Sequence, residues 1–309
     1  MPVLSMTDVA QHPATEAWRR LAGTASAPSG VDVLKETSKS SVYRLIGIGI
    51  IAKRAQALTA RVERAIYQDI LPGLPVSSLR FHGFLPDQDP NISWLFLEDS
   101  GGAACAFDNA THLVLASRWM AQLHLSAAKL AAPAALPARR FDDNLTEMHT
   151  ARSTIRENLG NPALSAKDRA VLDTIVGLCD HVDSQRRRIA ERCAGIPETL
   201  VHGDFHAKNV HLGGERDKPG LYVFDWEYAG WGLPAVDVAE LDLEAYRGVA
   251  GGAWASLEWL ADLGRLIQAI SAIAWASTHL PFATAEKGML KLRSYPADLR
   301  AALAAVESD

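Results

Sequence analysis

Three oxygen-bearing side chains stand out in the stretch 200–243, namely Asp204, Asn209 and Asp225. Asn209 opens a short apolar run, and Asp225 ends a second apolar run that follows a turn rich in Gly and Pro. Two such runs predict a hairpin that would project the three side chains from neighbouring backbone segments toward one pocket. Hard cations such as Mg²⁺ take oxygen ligands and bridge the phosphates of nucleotides. The stretch therefore predicts a site that holds a metal and a phosphate.

The spacing also suggests a role for each side chain. Asn209 and Asp225 would supply oxygens to the metal, and the Asp204 carboxylate would orient an accepting hydroxyl and take its proton. His202, Asp204 and Asn209 fit the kinase catalytic-loop pattern H-x-D-x-x-x-x-N. Asp225 stands where that pattern expects its metal-binding Asp. These residues predict phosphoryl transfer from a nucleotide to a hydroxyl.

Longer segments extend this likeness to a known family. The segments HGDFHAKN and VFDWEYAGWGLPAVDVAEL resemble the aminoglycoside phosphotransferase and choline kinase superfamily, which shares the protein kinase fold. As in that family, Gly203 replaces the Arg of protein kinases, and Trp226 and Glu227 replace the Phe-Gly that follows the metal-binding Asp. The later pattern G-x-P-x-x-D-x-A is matched by Gly232, Pro234, Asp237 and Ala239.

The resemblance implies an α+β, two-lobed protein-kinase-like fold. Residues 1–99 would form a small nucleotide-binding lobe with an N-terminal helix, a five-stranded antiparallel sheet and one helix. Residues 100–309 would form a larger, mostly helical lobe with the catalytic loop and the acceptor site. The patterning agrees, because strand-like segments crowd the first third and helical patterns fill most of the rest. The strands are expected at 31–35, 42–46, 50–54, 79–85 and 92–97, and the longest helices at 57–71, 111–129, 144–158, 166–179, 180–193, 236–246, 253–263 and 266–279.

Two residues of the first third are expected to bind and position the nucleotide phosphates. Lys53 lies late in the third predicted strand, from which a cation can reach the α- and β-phosphates as it does in kinases. Glu63 lies ten residues later in the predicted helix over 57–71. By the kinase pattern, Glu63 would pair with Lys53 and hold it on the phosphates.

Two further segments are expected to contact the nucleotide in a kinase-like fold. The turn 36–41 has no glycine, but Ser38, Ser40 and Ser41 offer N–H and hydroxyl donors to phosphate. The alternative is a polar hairpin without a ligand. The run WLFLEDSGG resembles the connector between the two lobes of the family, where backbone groups meet the adenine edge. By position those groups would belong to Glu98 and Ser100.

The remaining polar residues of the motif region leave alternatives open. The D-x-H triplet at Asp204, with other histidines nearby, could begin a two-metal phosphoesterase site, but the later segments of such enzymes are missing. His202 and Asp237 are expected to brace the loop. Three acids are possible contacts for a cationic substrate or, alternatively, solvated surface residues; they are Glu227, Glu240 and Asp242.

Composition excludes several classes of protein. A net charge of -5 and a pI of about 6.1 offer no clustered positive surface for nucleic acid. The most apolar segment, 266–280, is interrupted by polar residues and too short to span a bilayer. Three cysteines without metal-type spacing and an N-terminus without a signal-peptide pattern favour a cytoplasmic enzyme.

The sequence therefore predicts a phosphotransferase that uses ATP, with GTP as a possible donor, and Mg²⁺. The acceptor would be a hydroxyl of a small molecule such as an aminoglycoside, an amino alcohol or a sugar-like compound. The alternative is a nucleotide-binding scaffold of the same fold without catalytic turnover. The oligomeric state is left open.

Overall fold

The computed structural model describes residues 6–23, 27–215, 218–254, 256–281 and 285–308. Its regular elements, in chain order, are α1 (Met6–Gln11), α2 (Pro13–Ala22), β1 (Gly30–Glu36), β2 (Ser40–Ile46), β3 (Ile50–Gln56), α3 (Ala57–Ala65), β4 (Phe81–Pro86), β5 (Ile92–Glu98), β6 (Ala103–Ala104), α4 (Ala110–Ala127), β7 (Ala138–Arg139), α5 (Phe141–Asn158), α6 (Ala166–Cys193), β8 (Thr199–Val201), β9 (Val210–Glu215), β10 (Lys218–Val223), β11 (Gly230–Gly232), α7 (Ala235–Val238), α8 (Leu243–Ala250), α9 (Leu257–Ser277), α10 (Glu286–Leu292) and α11 (Tyr295–Ser308).

The backbone divides into two compact units. Of the described residues, the first unit takes those within 1–126, 133–136 and 202–229, and the second takes those within 127–132, 137–201 and 230–309. The first unit thus combines the strand-rich first third with the segment 202–229, which contains Asp204, Asn209 and Asp225. The lobe boundary between residues 99 and 100 stays a prediction.

A five-stranded antiparallel sheet forms the centre of the first unit. Its strand order is β1-β2-β3-β5-β4, and all five strands were predicted, although the fourth starts later than expected. Successive side chains of a strand point to opposite faces. On β3, Ile50 and Ala52 are buried in a core cluster with Trp18 of α2. Lys53 consequently points to the other face of the sheet.

The helix predicted over 57–71 changes pitch before that range ends. After α3, residues Ile66–Ile70 form a π-helical turn, and a short 3-10 turn that contains Pro72 follows. Proline has no N–H to donate, so an α-helix does not continue through this point. The buried Tyr67 lies in the π-helical turn, and its hydroxyl donates to the carbonyl of Val223 at 3.4 Å.

β9 and β10 form the hairpin that the sequence predicts, and β6 adds a third antiparallel strand. Val210 lies opposite Val223, so the two strands end in register. Asn209 directly precedes β9 and Phe224 directly follows β10, and the N–H of Phe224 donates to the carbonyl of Asn209 at 3.0 Å. The pairing places Asn209 and Asp225 at the same end of the hairpin. Residues 216 and 217 of the predicted turn lie outside the described residues.

The second unit is mainly helical, and some of its helices differ from the predicted ones. The two helices expected over 166–193 are one helix, α6, because neither proline nor a cap interrupts the sequence there. The helix expected over 236–246 is instead split into α7 and α8, because Asp242 caps α8 through the N–H of Ala245 at 2.9 Å. No helix in the described residues is long and apolar enough to cross a membrane.

The central helix of the second unit is α9, which packs against α5, α7 and α11. It is continuous through Gly264, where two separate helices were predicted. A Cβ atom at Gly264 would lie 2.0 Å from the carbonyl oxygen of Ala235 in α7. The glycine therefore serves close helix packing and does not end the helix.

We expect Gly264→Ala to destabilise the protein by about 1–3 kcal/mol, because the added methyl group overpacks the contact between α9 and α7. Gly177→Ala is the matched control. Gly177 lies inside α6 with nothing within 4 Å of its Cβ position, so the substitution should stabilise the helix by up to about 1 kcal/mol. Denaturant unfolding of both variants measures the difference, and equal effects would contradict the packing described here.

Candidate active site

A cavity of about 530 Å³ lies in the first unit between the β1-β2-β3 face and the hairpin of β9 and β10. This volume is typical of small-ligand sites. It is lined by eight of the residues selected from the sequence, namely Lys53, Glu63, Glu98, Ser100, Asp204, Asn209, Asp225 and Glu227. Residues far apart in the chain therefore meet in one concave surface.

Lys53 and Glu63 form a buried ion pair. The Lys53 Nζ atom lies 2.5 Å from Oε1 of Glu63, and the two residues are only 6% and 1% exposed. The Lys53 side chain points away from the core cluster around Trp18, because it lies on the other face of β3. Glu63 of α3 contacts Lys53 on that face. Burial on its own would lower the pKa of Lys53, but the charges of Glu63 and Asp225 outweigh burial and raise it. Lys53 is therefore a fixed positive charge.

Asp225 is the second partner of Lys53. Its Oδ1 atom lies 2.6 Å from the Lys53 Nζ atom, and its Oδ2 atom lies 3.5 Å from the Nζ atom of Lys35. Burial favours the neutral acid, but the charges of Lys53 and Lys35 lower the pKa of Asp225. Among the described residues, Asp225 is the one non-glycine residue with a positive φ, at 65°. This left-handed conformation is costly for most residues and occurs often at functional sites.

Asp204 is held as a carboxylate at the edge of the cavity. Its Oδ2 atom accepts from the Asn209 side-chain amide at 3.0 Å and lies 3.0 Å from the Lys208 Nζ atom. Oδ1 lies 3.3 Å from Nε2 of His206. Burial on its own would raise the pKa of Asp204, but the contacts with His206 and Lys208 outweigh burial and lower the pKa to about 2. The group is therefore an ionised base at neutral pH.

His202 and Gly203 fix the backbone around Asp204. The Nδ1 atom of the buried His202 accepts from the N–H of Asp204 at 3.3 Å, and its Nε2–H donates to the carbonyl of Phe224 at 3.1 Å. Gly203 has φ 80°, and a Cβ atom there would lie 2.4 Å from the carbonyl oxygen of Tyr228. His202 thus ties the segment of Asp204 to the segment of Asp225, and Gly203 makes the close approach possible.

The connector after β5 lies at another part of the same cavity. The N–H of Glu98 is already used, because it donates to the carbonyl of Arg80 at 2.9 Å. The Ser100 hydroxyl lies 2.7 Å from Nδ1 of His211. Within the described part of the chain, no acceptor is within hydrogen-bond distance of the Ser100 N–H.

The serine-rich turn between β1 and β2 does not line the cavity. Thr37 organises this turn: its hydroxyl oxygen accepts the N–H groups of Lys39 and Ser40 at 3.3 and 3.1 Å. Ser40 is buried, whereas Ser38 and Ser41 are at least partly accessible. The phosphate contacts predicted for Ser38, Ser40 and Ser41 therefore stay predictions.

Other selected residues lie in the second unit and have structural contacts there. Asp237 is buried in α7, where its N–H donates to the carbonyl of Pro234 at 3.1 Å. Asp242 is the N-cap of α8, and Glu240 is exposed in the turn before it. The bracing role of Asp237 and the substrate contacts of Glu240 and Asp242 also stay predictions.

Sequence reasoning missed three cations that line the cavity, namely Lys35, Arg44 and Lys208. Arg44 forms a bidentate pair with Asp99, with atom separations of 2.6 and 3.2 Å. Lys208 is visible within the motif HGDFHAKN as a charge four residues after Asp204. Lys35 had no such signal, because an irregularity in β1 decides which way its side chain points.

The oxygen donors fit a Mg²⁺ ion bound together with phosphates. No group of three or more His, Cys, Asp or Glu residues that could hold a metal occurs in the described ranges. Mg²⁺ commonly uses one or two protein ligands plus substrate phosphates, so Asp225 and Asn209 suffice. The side-chain NH₂ group of Asn209 donates to the backbone carbonyl and to Oδ2 of Asp204. Among the described residues, its Oδ1 atom accepts no hydrogen bond.

The sequence model of the phosphotransferase enzyme family (APH) matches residues 51–256, which is more than half of the chain. No curated protein matches in sequence. The matched range contains the ion pair of Lys53 and Glu63, the connector after β5 and the hairpin of β9 and β10.

Solved structures show the same fold at low sequence identity. The chain is similar to the GDP complex of wild-type aminoglycoside 2'-phosphotransferase-IIIa, with a TM-score of 0.66, 13% identity, and coverage of 92% of this chain and 97% of the other. It is also similar to a spectinomycin phosphotransferase in complex with ADP and spectinomycin, with a TM-score of 0.65, 12% identity and 99% coverage of both chains. For choline kinase from Cryptosporidium parvum Iowa II the TM-score is 0.59, with 11% identity and coverage of 88% and 89%.

The resemblance seen in the sequence motifs is confirmed by both comparisons. The α+β fold, with its antiparallel sheet and its helical second unit, is that of the protein-kinase-like phosphotransferases. The chain belongs to the phosphotransferase enzyme family.

Proposed function

We propose that this protein transfers the γ-phosphate of ATP to a hydroxyl group of a small molecule. The observation that carries the proposal is the contact of Lys53 with both Glu63 and Asp225, in a cavity that Asp204 and Asn209 also line. A purely structural role for these polar residues would not require them to line one concave surface. Solved structures of similar fold with GDP, or with ADP and spectinomycin, support a nucleotide donor and a small-molecule acceptor, and GTP is a second candidate donor.

The nucleotide would lie along the cavity from the connector to Lys53. The Ser100 N–H and the carbonyl of Glu98 would meet the adenine edge, because the Glu98 N–H is already bonded within the sheet. The Lys53 ammonium would contact the α- and β-phosphates while Glu63 keeps it in place. The phosphates would then supply a counter-charge to the buried Lys53 ammonium group, and Asp225 would be available to hold the metal.

Asn209 and Asp225 would hold Mg²⁺, which supplies positive charge to neutralise the phosphates during transfer. Asp225 is suited to this role because its lowered pKa keeps it ionised. The left-handed backbone at Asp225 and the brace through His202 set where this carboxylate lies.

Asp204 would act on the acceptor. Its carboxylate accepts the proton of the acceptor hydroxyl as the hydroxyl oxygen bonds to the γ-phosphorus, and the bond from that phosphorus to the bridging oxygen of ADP breaks. The products are the phosphorylated acceptor and ADP, with the proton left on Asp204. His206 and Lys208 stabilise the carboxylate before the reaction.

The class of acceptor is the finer part of the proposal. Aminoglycosides, amino alcohols and sugar-like compounds are the candidates, since an aminopropanol kinase also shares the fold at 16% identity and a TM-score of 0.62. Glu227 lines the cavity and is our candidate for contacting a cationic group of the acceptor. A cytoplasmic location stays part of the proposal.

A screen of acceptor-dependent ADP release tests the proposed function. Purified protein with ATP and Mg²⁺ would be assayed against aminoglycosides, amino alcohols, sugars and homoserine, with product mass measured for each positive compound. We expect one acceptor class to release ADP and gain one phosphate. Nucleotide binding without turnover across the whole panel would instead indicate an idle scaffold.

We expect Asp204→Asn to lower kcat by about 10²- to 10⁴-fold with little change in the KM for ATP, because the general base is lost while the phosphate site is intact. Asp108→Asn is the matched control, since Asp108 is exposed and does not line the cavity. Equal kcat values for the two variants would contradict the role of Asp204.

We expect Lys53→Met to abolish turnover and to destabilise the protein by about 3–5 kcal/mol at neutral pH, because Glu63 is left as an unpaired buried charge. Burial raises the pKa of Glu63, and removing Lys53 raises it further. Protonation of Glu63 then favours the folded state, so the loss should shrink as the pH falls toward about 5.

Lys39→Met controls for the loss of a charge, because Lys39 is exposed and lies outside the cavity. Denaturant unfolding at pH 7 and at pH 5 measures both variants. A Lys53→Met deficit that stays the same at both pH values would contradict the charge account.

A further inference from the structure

The strand β1 contains a bulge that reverses the direction of one side chain. Val33 pairs with Tyr43 and Lys35 pairs with Val42, so Leu34 is an extra residue without a partner on β2. Val42 in turn pairs with Lys53 on β3. Residues that are directly opposite on neighbouring strands share a face, so the bulge places Lys35 on the cavity face with Lys53.

The two lysines contact the same carboxylate from two strands. The Lys53 Nζ atom approaches Oδ1 of Asp225 at 2.6 Å, and the Lys35 Nζ atom approaches Oδ2 at 3.5 Å. The Lys35 side chain is 41% exposed and lines the cavity, so it is accessible to a ligand. Unlike Lys53, it has no carboxylate partner other than Asp225 within 4 Å among the described residues.

The turn that follows β1 offers few free donors to a phosphate. Backbone N–H groups bind anions only when they are not bonded elsewhere. Here the N–H groups of Lys39 and Ser40 donate to the Thr37 hydroxyl oxygen, and the N–H of Thr37 donates to the carbonyl of Ser40. The turn is therefore closed on itself, and it contains no glycine that would open it easily.

We propose that Lys35 is a phosphate-binding residue, whose ammonium group pairs with the terminal phosphate oxygens of the nucleotide. The Lys35 side chain would then attract the phosphates, which the bonded backbone N–H groups of the closed turn do not. The terminal phosphates are the relevant ones because Lys35 contacts Asp225, which would hold the metal next to those phosphates. This inference rests on the proposed function, since it places a nucleotide in the cavity.

Equilibrium binding of ATP, ADP and AMP with Mg²⁺, measured by titration calorimetry, tests the role of Lys35. For Lys35→Met we expect about 10- to 100-fold weaker ATP binding, because a charged hydrogen bond is lost. AMP, which lacks the terminal phosphates, should bind Lys35→Met as it binds the wild type. Lys35→Arg should restore most of the ATP affinity, and Lys39→Met, which removes a lysine from the adjacent turn, should bind ATP like the wild type.

Two results would overturn the inference. Unchanged ATP affinity in Lys35→Met would show that the lysine only pairs with Asp225, and equal losses for ATP and AMP would show a general distortion of the site. Thermal unfolding of each variant separates distortion from the loss of a contact.

The same binding data separate this inference from the proposed function. Wild-type protein that binds ATP through Lys35 but phosphorylates no acceptor would overturn the proposed function alone. Acceptor turnover with an unchanged ATP affinity in Lys35→Met would overturn the role of Lys35 alone. Wild-type protein that binds no ATP would overturn both.

Discussion

The ammonium group of Lys53 lies between two carboxylates, and the first unit is arranged around that contact. Glu63 reaches it from α3 and Asp225 reaches it from the end of β10, at 2.5 and 2.6 Å. A buried charge is costly unless it is paired, so the sheet, the helix and the hairpin cannot separate without exposing or orphaning one of these groups. The electrostatic pairing therefore also fixes the geometry of the candidate site.

The backbone around this contact is specialised to allow it. Asp225 has a left-handed conformation, and Gly203 passes so close to Tyr228 that no side chain would fit. His202 bonds to both neighbouring segments and holds them together. Strain and close approach of this kind are tolerated where the surrounding structure enforces them, and here they bring the carboxylates of Asp204 and Asp225 to one cavity.

Much of the site was predictable because its chemistry depends on spacing along the chain. The motif spacing selected Lys53, Glu63, Asp204, Asn209 and Asp225, and the structure brings all five to one cavity. The five strands followed from short apolar runs bounded by turn residues. The aminoglycoside phosphotransferase resemblance added the fold as a whole.

The parts that were not predictable depend on contacts between elements. A period-two pattern cannot locate the bulge that turns Lys35 into the cavity, because the bulge exists only relative to β2. Two helices were predicted on either side of Gly264, yet α9 is continuous and the glycine lets α7 approach it. Composition also does not show that the N–H groups of Lys39 and Ser40 in the serine turn donate to the Thr37 hydroxyl oxygen.

A crystal structure with Mg²⁺ and a non-hydrolysable ATP analogue tests the central claim most directly. The account predicts phosphate oxygens on Lys53, the metal on Asp225 and Asn209, and a separation between the Lys53 Nζ and Asp225 Oδ1 atoms greater than 2.6 Å. A nucleotide bound elsewhere, with the contact between Lys53 and Asp225 unchanged, would contradict it.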